Sequence, residues 1–396
     1  MAICYWTGGG INKRQVVTLT VASVGTVSAT INGNTVSYTT GSTTAECASG
    51  LAAAIMAADA AEFSDVTATV SSNVVTLTAK TPGTPFTVTS SGVIQSTVQD
   101  NVSRNDWDNT ANWHGGTAPN NGDTVIIDNS SESILWNINK SSLTLVAITI
   151  RKGFTGFIGL TKQNPAGYPE YRTQYLTLAS CPTVNIETNS GDPEGRIRLS
   201  IGGSSATTCT LAGQSGDSPA AGCIDLVLPT SGTHVIKASN VGVTVGRDGQ
   251  TATTVGTLMA VDSNIQTGTA TSVTNATLES TVADFRSSPS TSLIATEGSS
   301  VLVRSGAAAT VRMIASTLDW QGGNISTGLI LQNGASAIFS ESLGSGTVAD
   351  IDMMPGTSVT HKNRNITITS IGLNGCKPSE VTLNLLTHSR LTPANY

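Results

Sequence analysis

In the C-terminal third of the chain one short phrase comes back in register. Glu297-Gly298-Ser299-Ser300 runs into Val301-Leu302-Val303, Asn333-Gly334-Ala335-Ser336 into Ala337-Ile338-Phe339, and Pro355-Gly356-Thr357-Ser358 into Val359. The offsets are 36 and 22 residues, which fit two coils of about 18 and one of about 22, inside the range of solenoid repeats. Midway through the first interval, Ala315-Ser316-Thr317 precedes Leu318-Asp319-Trp320, where the missing copy should fall. In the phrase, glycine supplies a corner with positive φ, and the hydroxyl after it is placed to satisfy a corner amide. A coil of this kind cannot bury its apolar run alone, but stacked coils can, with hydrogen bonds along a shared axis.

The rest of the C-terminal two-thirds is consistent with that constraint. From about residue 134 onward, short apolar runs alternate with Gly, Ser, Asn and Thr turns. Leu143–Ile150, Leu176–Leu178, Arg196–Ile201, Ile224–Leu228, Val241–Val245, Leu293–Ala295, Val311–Ile314, Leu329–Leu331 and Ile366–Ile368 are examples, and none has the length of a long helix. Charged residues are 12% and aromatics 4% of 396 residues, and Ser plus Thr make up about a quarter. Disordered chains usually combine high net charge with few β-branched residues, whereas here the net charge is −6 and Val, Ile and Thr recur throughout. Small inward residues suit the narrow core of a parallel β-solenoid (β-helix) better than a series of β-sandwiches, which is the alternative architecture. The fold expected is mainly β: a solenoid with a small α+β module near the N-terminus.

That module spans residues 15–97. Gln15–Ala22 alternates as a strand should, and Asn32-Gly33 between Thr26–Ile31 and Thr35–Thr40 is a strong hairpin signal. A helix follows, capped by Ser42 or Thr43 with Glu46 closing a capping box. Its body extends through Ala61-Glu62-Phe63, with Leu51, Ile55 and Ala58 on one apolar face. Val66–Val70, Val74–Ala79 and Phe86–Thr89 complete a small antiparallel sheet beneath the helix. Ile31-Asn32-Gly33, Gly50–Ile55, Val74–Lys80 and Gly83-Thr84-Pro85-Phe86 together resemble a small module that recurs in phage tail and virion proteins and in some bacterial surface proteins.

Asp106-Trp107-Asp108-Asn109 and Asn112-Trp113-His114-Gly115-Gly116, followed by Ala118-Pro119 and Gly122-Asp123-Thr124-Val125, resemble the opening of β-helix repeats in adhesin passengers and phage structural proteins. That resemblance implies an upstream strand, which Tyr5-Trp6-Thr7-Gly8-Gly9 supplies, with the module inserted after it. The organisation expected is residues 1–14 as the first strand of the cap, 15–97 as the inserted module, 98–133 as a Trp/Asn-rich cap and first coil, and 134–396 as the solenoid with a C-terminal tail. Trp6, Trp107 and Trp113 would cover the solenoid end; a sugar-binding role for the cluster is the alternative.

Twenty Lys+Arg against 26 Asp+Glu give no basic footprint for nucleic acid, and no apolar run has the length of a membrane span. The N-terminal MAICYWTGGGINKRQ lacks the apolar core of a secretory signal. Cys4, Cys47, Cys181, Cys209, Cys223 and Cys376 are scattered, as free thiols made in a reducing compartment would be. His114, His234, His361 and His388 belong to no catalytic or metal motif. Asp350 with Asp352, and Asp106 with Asp108, are the carboxylate pairs a glycosidase would need, but both read better as outward strand and turn residues. Leu160–Tyr175, with Pro165, Pro169 and three tyrosines, reads as a projecting loop, either a contact surface or simply solvated. No catalytic, cofactor or metal residues are expected.

The resemblance implies a non-enzymatic structural protein of a phage particle: a capsid decoration, fibre or spike protein. It would be made in the host cytoplasm, be carried in the virion, associate with itself as a homotrimer, and contact major capsid or tail proteins. A tailspike that binds or cleaves host surface glycan, and a bacterial adhesin passenger, are the alternatives.

Overall fold

The computed structural model describes residues 2–164, 167–189, 191–213, 222–230, 233–247 and 252–385. Its body is a β-solenoid of two long parallel sheets. Successive strands alternate between the sheets, so most pair with the strands two before and two after them in sequence. The first sheet runs from Ile3–Trp6 and Asp123–Ile127 to Ile371–Leu373, and the second from Leu176–Ser180 and Ile197–Ile201 to Thr382–Asn384.

Alternation within each strand sends every second side chain inward, and the register stacks these into columns. One column of the first sheet reads Cys4, Val125, Ile148, Val184, Cys209, Ile236, Leu258, Ala276, Leu293, Val311, Leu329, Ile351 and Ile371. All but Ile371 are buried. Each large apolar side chain so covered contributes about 1.5–3 kcal/mol, and a one-residue slip would turn the whole column to water.

The repeated phrase occupies a repeated corner. Asn240, Asp262, Ser280, Glu297, Ala315 and Asn333 all have positive φ, between 46° and 55°. Ala315 (φ 48°) therefore stands where the sequence lacks its copy of the phrase. Behind the corner runs a buried column of hydroxyls. Thr281 Oγ1 donates to Glu279 O at 2.8 Å and accepts from Ser263 N at 3.4 Å, and Ser299 Oγ donates to Thr296 O at 2.7 Å and accepts from Thr281 N at 3.1 Å. Each hydroxyl closes its own turn and ties it to the preceding coil. At another corner the coils approach backbone to backbone: a Cβ on Gly323 would lie 1.5 Å from Gly306 O, so only glycine fits.

The module is a separate antiparallel unit with its own core. Its helix, Thr44–Met56, has Thr43 as N-cap with the reciprocal Glu46 bonds of a capping box in place. The helix is shorter than the sequence suggests: it ends at Met56, and Ala61–Phe63 is a separate 3₁₀ turn. Cys47, Ala48, Leu51, Ala52 and Ile55 form its buried face, against strands of two sheets rather than one. One sheet orders Val66–Ser71, Val74–Ala79, Val16–Val21 and Val93–Gln99; the other orders Asn34–Tyr38, Val27–Ile31 and Val88–Ser91. Val93–Gln99 is a strand the sequence reading does not contain. Its exposed residues (Ile94 and Val98 among them) give no alternating signal. Chain entry and exit lie side by side, with Lys13 N donating to Val102 O at 2.9 Å, the geometry that lets a folded unit sit in a loop.

Candidate functional site

The tryptophan cluster closes the N-terminal end of the solenoid. Trp6, on the outermost strand, packs edge-on to Trp113 at 5.2 Å, and Trp113 edge-on to Trp107 at 4.9 Å. All three are at most 2% exposed, so none presents a ring face to a sugar. Their indole N–H groups are used internally where bonds are formed: Trp6 Nε1 donates to Glu132 O at 2.9 Å and Trp113 Nε1 to Trp107 O at 2.7 Å. Asn112, fully buried, donates to Ser103 O and Asp106 O and accepts from Gly10 N.

The carboxylate pairs singled out in the sequence sit in structural positions. Asp106 accepts Asn137 Nδ2 on both oxygens and also caps Asp108 N, while Asp108 pairs with Lys140 at 2.6 Å. Asp350 accepts a hydrogen bond from Ser370 Oγ, and Asp352 lies outward between Ile330 and Gly372. Burial, with Asp350 nearby, raises the Asp352 carboxyl above its ordinary value. The histidines are dispersed. His114 packs edge-on against Tyr5, His234 Nδ1 accepts Thr207 N at 3.0 Å, and His361 packs against Phe339 with Nε2 3.1 Å from Ile366 O; His388 lies outside the described residues. Among the described residues no cluster of His, Cys, Asp or Glu could hold a metal ion, and the six cysteines are free thiols. No helix is long and apolar enough to cross a membrane among those residues.

The Leu160–Tyr175 segment does not project, as the sequence suggests it would; Pro165 lies outside the described residues. It folds back onto the inserted module. Tyr168 and Tyr171 hydroxyls donate to Asp65 Oδ2 at 3.3 and 3.1 Å, and Asn32 Nδ2 donates to the Tyr171 oxygen at 2.9 Å. Arg172 completes the lock. It lies 3.2 Å from Asp65, forks onto both oxygens of Glu170 at 2.7 and 3.0 Å, and covers the Trp136 ring at 4.8 Å from its centroid. Burial opposes ionisation of Glu170, but the bonds from Arg172 and Asn164 outweigh it and hold the carboxyl below its ordinary range. The tyrosines and arginine that suggested an outside partner thus find one within the chain.

A second cluster lies on the outward side of the second sheet. One outward column there reads Arg198, Asp225, Thr244, Gln266 and Asp284, neighbours about 4.8 Å apart along the axis. Asp225 is fully buried: Tyr175 OH donates to its Oδ2 at 2.8 Å and Arg247 Nε lies 2.7 Å from the same oxygen. Arg247 Nη1 meets Glu194 at 2.7 Å. Burial pushes the Asp225 carboxyl up, and Arg247 and Tyr175 offset this only in part. Among the described residues, Asp225 Oδ1, Thr244 Oγ1 and Arg247 Nε and Nη2 are closed to solvent without a hydrogen-bond partner, Nε meeting Asp225 as an ion pair only, at a cost of about 1–3 kcal/mol for each buried group left unbonded. Beside them opens a cavity of about 350 Å³, lined by Lys162, Glu194, Thr244, Arg247, Gln266, Thr267, Gly268, Asp284 and Arg286.

The sequence reading missed this cluster. The available signal was a charged residue inside an otherwise apolar strand, at Arg198 and again at Asp225. Coil length hid their adjacency: Arg198 and Asp225 are 27 residues apart, but Gln266 and Asp284 only 18.

The architecture defines a class: a parallel β-solenoid with an α+β module locked to its flank. Comparison with known protein families finds no family model that matches the chain, and comparison with curated proteins finds no match either.

Proposed function

We propose that the chain is a non-enzymatic structural component of a bacteriophage particle, of the decoration, fibre or spike kind. The observation that carries this reading is the unbroken pair of sheets, closed at one end by aromatic side chains and braced on its flank by the Arg172 lock. Such a body is stiff because each coil is hydrogen-bonded to the next along its length. The likeness of residues 31–86 to a phage-type module, and of residues 106–125 to phage β-helix openings, supports the same reading. The groove carboxylates also support a structural role: Glu194 is held by Arg247 and Asp284 by both arms of Arg304, at 2.9 and 2.8 Å. Both are thereby engaged in ion pairs rather than presented as an acid–base couple.

In this reading the protein self-associates as a homotrimer, contacts major capsid or tail proteins, and is made in the host cytoplasm before it enters the virion. The test is antibody labelling of intact particles purified from producing cells, followed by imaging. Label at regular positions on the particle is expected. Particles without label, or release of reducing sugar from host surface polysaccharide by the purified chain, would overturn the proposal.

A further inference from the structure

We propose that the strand Val93–Gln99 is a docking edge for a second copy of this chain, the two strands pairing antiparallel about a two-fold axis at Ser96. This inference does not rest on a place in a particle. Val93–Gln99 is the last strand of its sheet, paired on one side with Val16–Val21 and, among the described residues, with no strand on the other. It is also the longest edge of the module, and all its residues but Val93 are exposed, Ile94 at 62% and Val98 at 64%. Such an edge is a template for a further strand, and proteins that keep an edge single blunt it with Lys, Pro or an inward charge. Residues 93–99 contain none of these. The one irregularity is an extra residue, Val98, between the partners of Val17 and Val16; it leaves 93–97 in regular register. The opposite edge of the same sheet is covered: Met56 of the helix sets its Sδ 3.3 Å from Ala68 N in Val66–Ser71.

The strand's own pattern names the occupant. A two-fold axis at Ser96 sets Ile94 of each copy against Val98 of the other, Gln95 against Thr97, and Ser96 against itself. Apolar meets apolar and polar meets polar, the cross-strand pairs that stabilise a sheet. With no charge in the strand, the copies bring no like charges together. Asp100, the next residue, would face Gly92 of the second copy, so the two Asp100 stand at opposite ends of the pair. Main-chain bonds supply the affinity of such strand addition, about four to six over this length. Ile94 and Ser96 lie beside Thr20 and Thr18, which lie beside Val74 and Thr76, so the joined sheet would carry one uncharged face across the axis. A two-fold contact closes at two copies; in a homotrimer it would link neighbouring trimers, not the copies within one.

The experiment is sedimentation equilibrium of the full chain over a concentration series, beside the double variant Ile94→Lys, Val98→Lys. The variant sets Lys against Lys at both ends of the pair. The parent should double in mass as concentration rises, and the variant should need about tenfold more protein to do so. Both positions are exposed, so its melting temperature should not change. A cross-link reads the axis directly and tolerates a change of fold in the double variant. With Cys376→Ser as background, Ser96→Cys should give a disulfide-linked pair on air oxidation, since residues facing each other on the axis lie within disulfide reach. Thr69→Cys, on the opposite edge, should not. Equal masses for parent and double variant throughout the series, or Ser96→Cys linking no better than Thr69→Cys, would overturn the proposal. The proposed trimer is read separately: a double variant that stays trimeric supports both contacts, and a monomeric one beside a dimeric parent supports the edge and overturns the trimer.

Discussion

The two ends of the solenoid solve the same problem to different degrees. At the N-terminal end the inward columns finish on Cys4 and Trp6, and Trp113 and Trp107 cover them. At the other end the same two columns finish on Ile371 and Leu373, and a column of the second sheet finishes on Leu383. Ile371 and Leu373 are half-buried, and Leu383 is 38% exposed. A stacked coil gains from burial only what its neighbours cover, and among the described residues the last coils are covered less than the first, so they are held with less apolar burial. Stability should therefore be graded along the axis, greatest near the aromatic lid.

The sharpest way to break this comparison is truncation at both ends. Trp113→Ala should cost about 3–5 kcal/mol, as large buried aromatics do, and Leu383→Ala about 0.5 kcal/mol or less. Denaturant unfolding of the two variants measures both, and equal costs would refute the gradient. A smaller effect is expected at the flank. Arg172→Met leaves the buried Glu170 without its charged donor and should cost about 2–3 kcal/mol. Arg304→Met, which breaks a more exposed pair with Asp284, should cost under about 1 kcal/mol. Calorimetry should also show the module of Arg172→Met melting apart from the solenoid. Smaller again is the corner: Thr281→Val removes one hydroxyl from the buried column and should cost about 1 kcal/mol.

The smallest effect has opposite signs at the two ends. Asp123, beside the outermost strand, is held below its ordinary range mainly by the backbone N–H groups of Ala2 and Asn120. Its contribution is complete above the ordinary carboxylate value and is lost as pH falls through its lowered one. Asp352, near the far end, is raised by burial and by Asp350. Its ionisation penalises the folded state at neutral pH, and acidification through the raised value relieves the penalty. Asp123→Asn should therefore be less stable than the parent at neutral pH, with a deficit that shrinks in acid. Asp352→Asn should be more stable at neutral pH, with an advantage that vanishes in acid. Unfolding midpoints across an acid series check both signs.

Much of the solenoid was legible because its rules are local. A corner needs positive φ and a hydroxyl; residues 297–300 announce both, while 333–336 announce the positive φ and place Ala335 in the hydroxyl column. The helix cap was legible for the same reason, since Thr43 and Glu46 are three residues apart. The strand Val93–Gln99 was not, because an edge strand with little burial leaves no apolar alternation. The fate of Leu160–Tyr175 was also hidden. Its tyrosines and arginine describe a surface that wants a partner, and nothing local reveals that Asp65 and Asn32, 106 and 139 residues before Tyr171, supply it.

The sequence alone determined the periodic parts: coils that must stack, a module that folds by short-range pairing, and an aromatic supply for one end. Only the tertiary structure decided which coils are neighbours where their lengths vary, and hence that Arg198, Asp225 and Thr244 share one column beside a cavity. The physical reason is that backbone preference and alternation act over a few residues. Adjacency of charges depends on the length of chain each coil spends in its loops, and neither propensity nor alternation fixes that length.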